Sequence, residues 1–500
     1  MSNLDLLFIH ANNSADVYQV LATNFSARET PIWAAMLAKR AEMDGLSSEV
    51  LDCEALGLSF SDSIKRIEQA NATLNVIVVY GQQPSASTQN MFAAELIASK
   101  LQGEANVLMV GAHPSALPGR TADDNPDTFV CQGEGPETIK LLCQAIKKHS
   151  IRTDSFYSEI KNIPGLYLTA KDDYGYTTMV IKNLSAPLIQ NLDKDLPGMA
   201  FDKLPMSSYR TSNWHSFTNN CEKQPFSSIY TSLGCPFHCT FCMINAPFGG
   251  SSFRYWSPEF TVNQLEILSG MGIKNIKIAD EMFVLQKNHF LRICELIIER
   301  NLDLNIWAYA RIDTIKESYL EKLKKAGVNW LALGIESGNK LVRQEVVKGK
   351  FEDVNIYDIV KKIKNAGINV IGNYIFGLPE DTLDSMEDTL QMALDLNCEF
   401  ANFYSAMAYP GSKLYTEAIE KGQKLPPTWL AYSQHAYETF PLNTKHVDNA
   451  TVLKFRDEAF IKYFSGSKYL NMIKEKFGDK VYNDVLYMNC HSVKRKLLHG

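Results

Sequence analysis

The sequence predicts an α/β protein with two parallel-sheet units in tandem. A doubly wound, Rossmann-like domain comes first, a partial (β/α)6 barrel of the TIM type follows, and a helical C-terminal domain caps it. Three observations predict this. Apolar strands alternate with helical stretches through residues 1–150, the pattern of a parallel sheet covered on both faces. The alternation resumes at residue 225 with a period of about thirty residues and runs for six strand–helix units, three quarters of an eight-unit barrel. Beyond Pro410-Gly411 the chain is helical in pattern and rich in aromatics to Gly500. The expected domains are therefore 1–150, a connector at 151–224, the barrel at 225–410 and the cap at 411–500, in keeping with a 500-residue chain too long for one core.

In the first domain, Leu6–Ile9, Ser48–Asp52, Val76–Tyr80, Val107–Val110 and Phe129–Val130 read as strands. Trp33–Met43, Met91–Leu101 and Glu137–Lys148 read as helices, the first ended by Gly45. In the connector, Ile163–Leu168 and Tyr176–Ile181 read as a small hairpin. The barrel strands are expected at Ser227–Thr231, Asn275–Ile278, Asn305–Ala310, Trp330–Ile335, Val370–Phe376 and Phe400–Ala406. Helices are expected between them at 261–269, 289–300, 318–326, 356–366 and 383–396. Ligands of such sheets sit at the carboxyl ends of the strands.

Composition narrows the function. Net charge is −6 and no basic patch stands out, so nucleic acid is not an expected partner. The amino terminus has no charged n-region or cleavage site, and no apolar stretch approaches membrane-spanning length. All but three of the ten cysteines are scattered, as expected of reduced thiols in a cytoplasmic protein.

The remaining three form one loop, Cys235-Pro-Phe-His-Cys239-Thr-Phe-Cys242, after an apolar strand and the turn-forming Gly234. Three thiolates at this spacing can hold three irons of a four-iron, four-sulfur cluster and leave the fourth open for chemistry. A zinc site using His238 needs a second ligand pair, which is not visible. A disulfide framework needs an oxidising compartment.

This loop, with Phe241 before the third cysteine, resembles the signature of the radical S-adenosylmethionine (SAM) superfamily. Four other strand ends resemble its SAM-binding segments: Asp280-Glu281-x-Phe283, Tyr309-Ala310-Arg311-x-Asp313, Gly334-Ile335-Glu336-Ser337-Gly338 and Phe376-Gly377-Leu378-Pro379. SAM presents an ammonium, a carboxylate, a diol and an adenine. Carboxylates suit the first and third; a guanidinium suits the second. Asp280 and Glu336 are thus the expected acceptors and Arg311 the donor. Gly334 allows close backbone approach, Ser337 adjoins it, and Phe241 lies against adenine. In the first domain, Thr30-Pro31, Glu49-Val50-Leu51-Asp52, Gly111-x-His113-Pro114 and Gly133-Glu134-Gly135-x-Glu137 resemble, in their order, the cobalamin-binding domain of the cobalamin-dependent branch. His113, Pro114 and Gly133 are the contacts this implies, although His113 reads equally well as a turn histidine. The Asp-x-His-x-x-Gly motif of histidine-ligated corrinoid proteins is missing, which implies a cofactor held without a histidine on cobalt.

The resemblance implies a cluster that reductively cleaves SAM to a 5'-deoxyadenosyl radical. It further implies C-methylation of an unactivated carbon in a small-molecule precursor with cobalamin's help, and a reducing partner such as flavodoxin or ferredoxin. Cyclisation, rearrangement or oxidation without methyl transfer is the alternative within the family. A tRNA methylthiotransferase would carry further cluster cysteines and a basic tail. A non-enzymatic iron–sulfur or corrinoid sensor would not need the SAM-like strand ends.

Overall fold

The structure is a computed structural model, and it describes residues 4–81, 84–172, 174–219, 222–346 and 354–499. The first sheet has seven strands: β1 (Leu6–His10), β2 (Ser48–Asp52), β3 (Leu74–Val79), β4 (Val107–Gly111), β5 (Phe129–Cys131), β6 (Leu166–Lys171) and β7 (Thr177–Lys182). Their order is β2-β1-β3-β4-β5-β6-β7. The first five are parallel, as expected of a doubly wound sheet. β6 and β7 pair antiparallel, as the predicted hairpin. The hairpin does not stand alone, however: β6 pairs with β5 through Val130↔Tyr167 and Cys131↔Leu166, so the connector completes the first sheet. It covers an otherwise open edge.

β3, β4 and β5 are buried along their whole lengths, which is why they read as apolar runs rather than alternations. Gly111 closes β4 where a side chain would run into the carbonyl of Val79. The helix Phe60–Ala70, which the sequence reading passed over, buries only Ile64, Ile67 and Ser63 and is capped by Ser59. The helix Pro84–Leu101 starts a full two turns before the expected Met91.

The second large sheet contains β8 (Phe226–Ile229), β11 (Asn275–Ile278), β12 (Asn305–Arg311), β13 (Val328–Glu336), β14 (Asn369–Phe376) and β15 (Phe400–Ser405). All six are parallel, in chain order, with β8 and β15 at the free edges. This is the partial barrel. A two-stranded ribbon, β9 (Ser232–Leu233) with β10 (Arg254–Tyr255), springs from its first strand. Trp214 and His215 of the connector close the amino-terminal end. Trp214 packs edge-on to Trp307 at 5.0 Å, and His215 meets the Asn305 carbonyl at 3.0 Å. Burial holds His215 neutral, near a pKa of about 3. The cap includes the helices Lys413–Glu420, Asn449–Phe464 and Ser467–Asn489, the last kinked at Gly478 with φ of 84°.

Candidate functional site

The cysteine loop is shaped at its base. Gly234 has φ of 83°, and a side chain there would strike the backbone of Ser252. The β9–β10 pair clamps the loop's two ends. Asn245 accepts from the Cys235 amide at 3.4 Å, and the Cys242 amide closes a turn on the Cys239 carbonyl at 3.1 Å. Below the loop, Asp280 at the end of β11 accepts from the Thr231 amide (2.6 Å), the Thr231 hydroxyl (2.5 Å) and the Ser232 hydroxyl (2.6 Å). These bonds latch β11 to the strand that carries the cysteines.

Cys235, Cys239 and Cys242 all line one cavity of about 730 Å³. Burial pushes the Cys235 thiol up to about 11 and Cys239 to about 12, and lifts Cys242 well above its ordinary value. Neutral, soft thiols that ionise only on metal binding fit an iron–sulfur cluster. His238 points to solvent and bonds Ser251. The donor set is thus three sulfurs in one loop, which fits a cluster with one open iron.

The same cavity is lined by Phe241, Arg311, Gly334 and Glu336. Arg311 is fixed by a two-point pair with Asp313, at 2.9 and 2.8 Å. Its guanidinium lies 3.9 Å from the Phe237 ring centre, and its Nη1 lies 3.9 Å from Cys239 Sγ. Glu336 has φ of 63°, left-handed backbone at a register shift between β13 and β14. Such strain in a non-glycine residue costs of order 1 kcal/mol and marks functional positions. Gly334 makes room for it: a side chain on Gly334 would stand 2.6 Å from Glu336 Oε1. Burial raises the Glu336 carboxyl to about 7 against the pull of Arg311. Glu281, also on the wall, is raised to about 8, again chiefly by burial.

Among the described residues, five expected contacts stand away from this wall. Asp280 is committed to its latch. The Ser337 hydroxyl meets Thr389 and the Asn339 amide on the opposite side. His113 is buried beside Thr88 and edge-on to Trp429 at 4.4 Å, and burial holds it near a pKa of about 3. Pro114 is buried next to it, and Gly133 serves as partner to Ser115 and Tyr80. The first domain meets the cavity instead through His10, Asn13, Tyr18, Trp33, Tyr80 and Gln89. Trp33 and Tyr80 stack at 4.2 Å, nearly parallel. The sequence signal for these was present, since His10 and Tyr80 sit at strand ends.

The sequence profile of the radical SAM superfamily matches residues 229–393. An uncharacterised methyltransferase of Pyrococcus horikoshii is 30% identical over 424 residues, covering 84% of this chain and 85% of its own. The chain belongs to the radical SAM superfamily. Two solved members of that superfamily share the fold across both domains. The cobalamin-dependent enzyme OxsB, with aqua-cobalamin and SAM bound, superposes with a TM-score of 0.66 over 97% of this chain and 71% of its own, at 17% identity. The methyltransferase TsrM from Kitasatospora setae, with cobalamin and a [4Fe-4S] cluster, does so at 0.61 over 84% and 75%, at 18% identity. In this radical SAM chain the three cysteines and Glu336 both fall inside the matched profile.

Proposed function

We propose that this radical SAM chain is a cobalamin-using C-methyltransferase acting on a small-molecule precursor. One observation carries the reading. The cysteine loop, the strand ends of the barrel and the strand ends of the first sheet open onto a single cavity. Two cofactor sites and a substrate can thus meet without leaving the protein. The names of the relative and of the two solved neighbours support it.

A four-iron cluster on Cys235, Cys239 and Cys242 would supply the electron that splits SAM and releases a carbon radical. Glu336 and Gly334 would receive the SAM ammonium, and the Arg311 guanidinium its carboxylate. The mostly apolar lining of the cavity would limit water around the radical. Cobalamin would be held against the wall of Asn13, Trp33, Tyr80 and Gln89. His10 is the histidine on that wall. Burial opposes its protonation, but the Asp52 and Glu54 carboxylates prevail and raise its pKa. A ring that favours a proton is a poor cobalt ligand. The electron donor is a reducing partner of the flavodoxin or ferredoxin kind, and the setting a reducing cytoplasm. The cysteines among the described residues are free, and none of the described helices is long and apolar enough to cross a membrane.

The test is anaerobic titration with hydroxocobalamin followed by electron paramagnetic resonance of the reduced cobalt. The expected result is one cobalamin per chain without nitrogen splitting. Absence of binding would remove cobalamin from the reading. A nitrogen splitting lost in His10→Ala would make His10 a ligand.

A further inference from the structure

At the free edge of β15 the cavity wall carries charge that the protein does not balance. Arg456, on the helix Asn449–Phe464, is buried; its Nε donates to the Phe403 carbonyl at 2.7 Å and its Nη1 to Asp457 at 2.7 Å. Its Nη2 has no bond to any described residue. Arg495, fully buried, spends Nε and Nη2 on the same Asp457, at 2.9 Å each. Two guanidinium groups thus share one carboxylate, leaving a buried surplus of one positive charge. Surplus charge of this kind is costly unless a partner arrives.

Two further groups on the same wall lack partners. Ser405, 2% exposed at the end of β15, has a buried hydroxyl with no hydrogen bond, and so has His435 at Nδ1. Both line the cavity together with Arg456. They belong to one neighbourhood: Arg456 bonds Phe403, two residues before Ser405, and Ser405 is held by Gln434 through its amide at 2.8 Å. Native proteins seldom leave such groups unsatisfied without reason. A guanidinium donor, a hydroxyl donor and an imidazole nitrogen around one space are the donor set for an oxyanion.

We propose that Arg456, Ser405 and His435 form an anion-receiving subsite of the cavity, and that the substrate carries a carboxylate or phosphate that docks there. This rests on the reading of the cavity as the reaction chamber and narrows its substrate to an anionic small molecule. The substrate's charged end is anchored at the barrel's open edge, and its uncharged carbon skeleton is left for the chemistry.

The test uses the full chain and inorganic phosphate, with sodium chloride keeping ionic strength constant. Thermal unfolding of the wild type should rise saturably with phosphate. Arg456→Gln should weaken that response about ten-fold or more. Because Arg456 also braces the fold, Ser405→Ala and His435→Phe carry the decision. Each removes an unpartnered polar atom, so without phosphate it should melt at or above the wild-type temperature, yet need several-fold more phosphate. No saturable response in the wild type, or equal responses in wild type and both variants, would overturn the subsite. Hydroxocobalamin affinity separates the two sources of anion. Unchanged affinity in Ser405→Ala assigns the group to the substrate; a matching loss assigns it to the cofactor's nucleotide phosphate and overturns the substrate claim. Phosphate binding needs neither cluster nor cobalamin, so its failure is distinct from failure of the enzyme reading.

Discussion

Glu336 is the side chain on which the proposed SAM contact at the barrel mouth turns. It is held in left-handed backbone, beside a glycine that makes room for it and within the field of Arg311. Replacing it by Gln keeps the shape and removes a charge-assisted bond. SAM affinity should fall about ten- to hundred-fold, with normal cluster assembly. Glu336→Gly should relieve the backbone and raise stability by about 1 kcal/mol while losing SAM binding just as severely. A stability gain without loss of SAM binding would make Glu336 a mere bulge residue. Its pH dependence has a definite sign. The carboxyls of Glu336 and Glu281 are raised in the folded chain, to about 7 and about 8. Their contribution to stability is whole below the unfolded value near 4.5 and is lost as pH rises through 7 and 8. The melting temperature of the ligand-free chain should fall across that window, and less steeply in Glu336→Gln. SAM affinity should move the opposite way, rising as Glu336 ionises. The sequence shows which residues end each strand but not the phase of the last one. Consecutive side chains point to opposite faces, so Glu281 reaches the cavity while Asp280 latches the strand below. Likewise Glu336 faces in and Ser337 out, with a register shift setting the phase.

At the scale of elements, the Asp280 latch decides whether the cysteine loop has a rigid base. Its three short bonds to Thr231 and Ser232 hold the carboxyl end of β8. Asp280→Ala should strand those donors and cost about 2–3 kcal/mol. Urea denaturation should report the loss, and iron loading should drop with it. Full stability in the variant would show the latch to be idle. The barrel's strands were legible because each is a short apolar run after a helix. The joining of β6 to β5 was not, since β7 buries only Ile181 and so gives no alternating pattern. Edge pairing of this kind depends on where a distant strand happens to end.

Over the whole molecule, the two sheets are tied by ion pairs between domains. Arg254, just past the cysteine loop, meets Glu134 of the first domain at 2.9 Å, with both groups buried. Lys277 of the barrel likewise meets Glu29 at 2.9 Å. Glu134→Ala leaves Arg254 buried without its carboxylate and should cost about 3–5 kcal/mol. Limited proteolysis should then cut between the domains, and an unchanged digestion pattern would show that the pair does not join them. Neither pairing is visible in sequence, because each links residues more than a hundred positions apart that only the assembled fold brings together. The tandem order of a doubly wound sheet and a barrel was visible, and it places both sets of strand ends around one chamber.

The central claim is that the three cysteines and that chamber make and contain a SAM-derived radical. Its most direct test is mass spectrometry of SAM products from the anaerobically reconstituted, reduced enzyme. The wild type should hold about four irons per chain and release 5'-deoxyadenosine, and the triple Cys235, Cys239, Cys242→Ala variant should do neither. A wild type with a full cluster and bound SAM that leaves SAM uncleaved, or a triple variant that still cleaves it, would contradict the account.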